Sequence, residues 1–151
     1  MATVELLFSA LPEHVRTARL VAAAMARRAG VDEAVLDEVR LAVGEACSRA
    51  VGLHRSNEVA TPIKVRLIED EKKFSIEVGD DVPGSAAGSV PGVQRTDSDP
   101  DGAESGNGDE AEDEMGLAVI SGLVDDVEVS SSETGGVIRM SWPTLPDPVL
   151  P

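Results

Sequence analysis

Two stretches of the chain alternate strictly: Ile63-Lys64-Val65-Arg66-Leu67 sets apolar residues against cations, and Phe74-Ser75-Ile76-Glu77-Val78 keeps the same period of two. That period puts the apolar side chains of each run on one face of an extended strand. The link from Glu69 to Lys72 is charged and short, so the two runs read as a hairpin. Two helical segments precede it. Pro12 and Glu13 suit a first helical turn, Val15, Ala18, Val21, Ala22 and Met25 form the apolar stripe behind them, and Gly30 stops the helix. Asp32 caps a second helix reaching roughly Val51. Here Val35, Leu36, Val39, Ala42, Val43, Ala46, Ala50 and Val51 recur at spacings of three and four. Gly52 and the Arg55-Ser56-Asn57 segment end it.

Upstream, Thr3 to Phe8 reads as a strand with Val4, Leu6 and Phe8 on one face. Downstream the composition changes sharply. Between Gly79 and Met115, Gly, Ser, Pro, Asp and Glu dominate and almost no apolar residue recurs with any period. Such a stretch cannot offset its ordering entropy by burial, and disorder is expected. An insert of this length inside a domain marks a lid, a binding loop or a linker. Beyond it, Leu117, Val119, Ile120, Leu123 and Val124 suit a short helix starting at Gly116. Val127 to Ser130 and Val137 to Trp142 suit a second hairpin turning at Gly135-Gly136. The order strand, helix, helix, hairpin, insert, helix, hairpin implies an α+β two-layer sandwich, with helices on one face of a mixed or antiparallel sheet. Residues 1–143 form one domain containing a disordered acidic insert at about 84–114, and 144–151 form an extended, proline-rich tail.

The net charge is −15, and nine acids with no base fall between Asp97 and Glu114. Removing those nine leaves −6, so the acidity describes a segment more than the fold. An acidic chain whose only aromatics are Phe8, Phe74 and Trp142 suits neither a phosphate backbone nor base stacking, which argues against nucleic acid. Cys47 is the only cysteine, so no internal disulfide is possible. No signal peptide precedes the first strand and no apolar run is long enough to span a membrane, so a cytoplasmic protein is expected. His14 and His54 lack metal-ligand spacing, and no metal site is expected. Cys47 reads as a small buried hydrophobe.

Three segments carry a family resemblance. Glu45-Ala46-Cys47-Ser48-Arg49-Ala50-Val51 resembles the Glu-Ala-Cys-Thr-Asn-Ala-Val segment of the anti-sigma serine kinases of the RsbW and SpoIIAB type, built on the ATP-binding fold shared with histidine kinases and gyrase. Val78-Gly79-Asp80-Asp81-Val82-Pro83-Gly84 resembles their first glycine box, Val-x-Asp-x-Gly-x-Gly. Met115-Gly116-Leu117-Ala118-Val119-Ile120, followed by Leu123 to Val129, resembles their second box and the strand after it. The likeness covers the chain apart from the acidic insert and the tail. It implies a histidine-kinase-like ATPase fold and an ATP site at Glu45, Arg49, Asp80, Gly84, Gly116 and Leu117. Within that site Glu45 is the general base and Asp80 the acceptor for the adenine amino group.

The departures are as informative as the matches. Arg49 stands where the family has the Asn that binds magnesium. Magnesium takes oxygen ligands, whereas a guanidinium offers only donors. At about 4 Å and an effective dielectric near 20 two unit charges repel by about 4 kcal/mol, and a divalent ion roughly doubles that. Arg49 and magnesium therefore exclude each other, and Arg49 either reaches phosphate itself or marks a subsite that no longer works. Val82 replaces a glycine of the first box, filling space and disfavouring positive φ. Glu114 replaces a glycine before Gly116, and with Glu112 and Asp113 it sets negative charge near the triphosphate. Each residue also has a plain structural reading. Glu45 and Arg49 are spaced for a surface i, i+4 ion pair, Asp80 for a turn, Gly116 for a helix start favoured by acids, and the insert for a solubilising loop.

Three functions follow. The leading one is an anti-sigma-factor-like regulator, pseudokinase in character, that binds a sigma factor, a STAS-type antagonist or both and forms a homodimer; those partners come from the resemblance. The second is an active serine/threonine protein kinase phosphorylating the antagonist, with Glu45 as base. The third is an acidic scaffold that docks through its insert.

Overall fold

The computed structural model describes residues 2–84, 119–124 and 126–144. Strand β1 (Ala2–Phe8) leads into α1 (Pro12–Ala29). Gly30, at φ 102°, terminates α1 in the left-handed conformation that glycine adopts without a Cβ penalty. Asp32 caps a 3-10 turn, Glu33–Val35, by accepting from the Ala34 amide at 3.1 Å, and α2 (Leu36–Ser56) continues from it. The second helix is therefore longer than its apolar stripe implies. Gly52 lies inside it, and the stop comes five residues later. Asn57 donates its side-chain amide to the Leu53 carbonyl, and Glu58 takes φ 55°. A lone glycine weakens a helix without ending it when packing holds both sides.

Strands β2 (Ile63–Glu69) and β3 (Lys73–Asp80) form the expected hairpin, and β4 (Asp126–Ser131) pairs with β5 (Gly136–Pro143) in the second. Helical residues 119–123 precede β4. The start of that helix at Gly116, the acidic insert and the tail lie outside the described residues. The sheet order is β1-β2-β3-β5-β4, with every neighbouring pair antiparallel. Ile63, Val65 and Leu67 of β2 and Phe74, Ile76 and Val78 of β3 face the helices and are buried, as are Ile138, Met140 and Trp142 of β5. Val39, Val43, Ala46, Cys47 and Ala50 of α2 meet this face, and Val15, Ala18, Ala22 and Ala26 of α1 join them. The architecture is the α+β sandwich inferred from the sequence. Among the described residues no helix is long and apolar enough to cross a membrane.

Candidate functional site

The C-terminal half of α2 lies against the end of β3, and their side chains meet there. Arg49 Nη1 is 3.9 Å from Asp80 Oδ2, and both side chains are almost wholly buried, each at 3% exposure. This overturns the surface reading of Arg49, which turns inward from α2 toward the sheet. Asp80 Oδ1 accepts the Val82 amide at 2.9 Å and the Gly136 amide at 3.4 Å. The carboxylate thus joins three elements: α2 through Arg49, its own exit loop through Val82, and β5 through Gly136. Asp80 is therefore the last residue of β3 rather than a turn residue, and a buried ion-pair partner. An ionised acceptor of backbone N–H groups makes hydrogen bonds roughly twice as strong as neutral ones.

Glu45, one helical turn before Arg49, is half-buried. Val82 is buried at 8% exposure and has an ordinary negative φ, since Glu58 is the one described non-glycine residue with positive φ. Gly84 takes φ 71° and donates its amide to the Ser132 carbonyl at 3.3 Å, tying the loop after β3 to the β4–β5 turn. Gly135 of that turn runs so close to β3 that a Cβ would overlap the Asp80 carbonyl oxygen. Gly116 and Leu117 lie outside the described residues. The structure therefore brings Arg49 and Asp80 together, sets Glu45 one turn away on the same helix, and places Gly84 in the loop that Asp80 begins.

His54, which lacks metal-ligand spacing in the sequence, belongs to this site. It is fully buried in the last turn of α2. Its Nε2 is 2.9 Å from the Asp81 amide and its Nδ1 3.0 Å from the Thr61 carbonyl oxygen. An amide can only donate and a carbonyl only accept, so the ring is neutral, protonated on Nδ1 and accepting at Nε2. Thr61 Oγ1 in turn donates to Asp81 Oδ2. Two side chains of one helix thus fix two successive residues after β3: Arg49 holds the side chain of Asp80, and His54 the backbone of Asp81. The signal was available in the sequence. Carrying the stripe Val43, Cys47, Ala50 one turn further lands on His54, provided the helix is allowed through Gly52.

Cys47, fully buried on α2, takes no part in this network; burial pushes its thiol up to about 12. Among the described residues no three His, Cys, Asp or Glu side chains gather as a metal site.

Residues 8–142 match the family described as the histidine kinase-like ATPase domain. No curated protein matches the chain. Among solved structures, the RsbU and RsbW domains of Rv1364c from Mycobacterium tuberculosis align with a TM-score of 0.61 and 14% identity, over 97% of this chain and 34% of that one. The chain thus spans about a third of that protein's length, and the likeness is one of fold.

Proposed function

Because the chain belongs to the histidine kinase-like ATPase domain family, we propose that it is an anti-sigma-factor-like regulator that binds other proteins in a partner-switching system and works without magnesium-ATP. The observation that carries this reading is the buried approach of Arg49 to Asp80 at 3.9 Å. Arg49 stands at the position from which a family member would ligate magnesium, and a guanidinium has no lone pair to give a metal. Asp80 stands where a carboxylate would accept from adenine, and both of its oxygens are engaged, one facing Arg49 and one holding the Val82 and Gly136 amides. Buried Val82 occupies space that glycine would leave open. The charges of Arg49 and Asp80 thus face each other inside the fold, where a family member would turn the equivalent side chains toward a nucleotide and its metal.

A sigma factor, a STAS-type antagonist or both are the partners of this reading, and a homodimer its assembly. They rest on the family resemblance and on the RsbW domain in the related fold. The kinase reading keeps one supporting observation, half-buried Glu45 on α2, at the position of a general base. Calorimetric titration of ATP and ADP, with and without magnesium, separates the two. The expected result is no binding up to millimolar nucleotide, together with binding to a sigma factor or STAS-domain protein that is indifferent to ATP. Micromolar, magnesium-dependent binding overturns the proposal. The kinase reading would then require Glu45→Ala to abolish phosphoryl transfer while leaving nucleotide affinity intact.

A further inference from the structure

On its outer face, away from the helices, the sheet carries a charge row that crosses all five strands. The registers set Glu5 opposite Arg66, Arg66 opposite Glu77, Glu77 opposite Arg139, and Arg139 opposite Glu128. The sign alternates at every step, and opposed side chains in such a ladder start about 5 Å apart. Both arginines turn toward the centre. Arg66 Nη1 lies 3.2 Å from Glu77 Oε1, and Arg139 Nη1 lies 3.4 Å from Glu77 Oε2. The carboxylates at the two ends, Glu5 and Glu128, are left without an ion-pair partner among the described residues.

The β4 end is the more constrained of the two. β4 adds Asp126 on the same face as Glu128, and its opposite face presents Val127 and Val129, half-buried against the core. Among the described residues no strand pairs with its outer side. An edge strand in that position offers a row of backbone N–H and C=O groups to whatever strand fits beside it. A second copy of this chain fits poorly, because an in-phase pairing of two β4 strands sets Asp126 and Glu128 beside their own likes, and like charges opposed across strands are destabilising. A strand with cations at alternate positions continues the row with the sign it calls for, and apolar residues between the cations extend the cover over Val127 and Val129.

We infer that the β4 edge is a docking edge for an extended segment of a partner protein in which Arg or Lys alternates with aliphatic residues, added to the sheet as a sixth strand. The inference rests on the protein-binding reading above and names the chemistry of one partner segment.

The test uses the full chain and a short synthetic peptide alternating arginine and valine, with a control in which the arginines and valines form separate blocks. Affinity is read by fluorescence anisotropy at low and moderate salt, and the site by amide hydrogen exchange. The expected result is protection of β4 amides by the alternating peptide and not by the block control, with Glu128→Arg weakening the alternating peptide at least about tenfold, the scale of one lost charge pair. Three results overturn the inference: binding that leaves β4 unprotected, as when the peptide sits on the acidic stretch 97–114; affinity that Glu128→Arg does not change; or self-association that protects β4 and excludes the peptide. None of these touches nucleotide-independent binding of a sigma factor or STAS-domain protein, so the broader reading fails or stands separately.

Discussion

Arg49 and Asp80 face each other with both side chains buried, so removing one takes a counter-charge from the other's buried charge. Arg49→Met should cost about 3–5 kcal/mol in chemical denaturation, the range for breaking a buried pair by one side. Adding Asp80→Asn should recover most of that loss. The neutral amide keeps an oxygen for the Val82 and Gly136 amides and no longer needs a cation. Additive losses in the double mutant would mean that the pair is not what holds these elements. The sequence named both residues as site positions, from separate motifs, but not their contact, because only the packing of α2 on β3 makes them neighbours. Cys47 was legible as a buried hydrophobe, since its position continues the apolar stripe. Its thiol ionises near 9 ordinarily and near 12 in the fold. A raised folded pKa leaves stability intact below the lower value and withdraws it as pH rises between the two, by about 1.4 kcal/mol per pH unit. Alkaline denaturation of the wild type should therefore show a loss beginning near pH 9 that Cys47→Ala lacks; parallel curves would refute the assignment.

At the scale of elements, period-two alternation made both hairpins legible, because each joins neighbours in sequence. The pairing of β1 with β2, separated by both helices, was not legible, nor was the charge row, which exists only once the order β1-β2-β3-β5-β4 is known. Helix α2 runs through Gly52 and ends at the Arg55-Ser56-Asn57 segment, because packing on both sides outweighs the weakening by one glycine. A Cβ at Gly52 meets nothing within 4 Å. Gly52→Ala should accordingly stabilise the protein by about 0.5–1 kcal/mol through the backbone entropy that glycine loses on folding. A destabilised variant would show that Gly52 has a role in contacts beyond the helix. Gly135 is the opposite case. The β4–β5 turn approaches Asp80 so closely that any side chain must push the two apart. Gly135→Ala should loosen the turn and the loop after β3 together, seen as faster amide exchange at Val82 and Gly84. Unchanged exchange there would separate the turn from the site.

For the whole molecule, charge and fold are distributed differently. Of the net −15, nine negative charges fall in the stretch from Asp97 to Glu114, whose composition has no apolar period with which to build a core. Among the described residues, β1 to β5, α1 and α2 supply a continuous apolar cluster, and Ile120 and Val124 add to it from the residues before β4. Deleting Pro91 to Asp113 should leave the urea m-value unchanged, because m follows the surface exposed on unfolding and a stretch of this composition has little apolar surface to bury. The midpoint should hold or rise slightly at low salt, since removing like charges relieves self-repulsion, and this gain should fade as salt is added and screening takes over. A lower m-value, or a midpoint that falls at every salt concentration, would mean that the stretch packs against the domain. The acidic segment would then have to be counted as part of the fold that closes the site at Arg49 and Asp80.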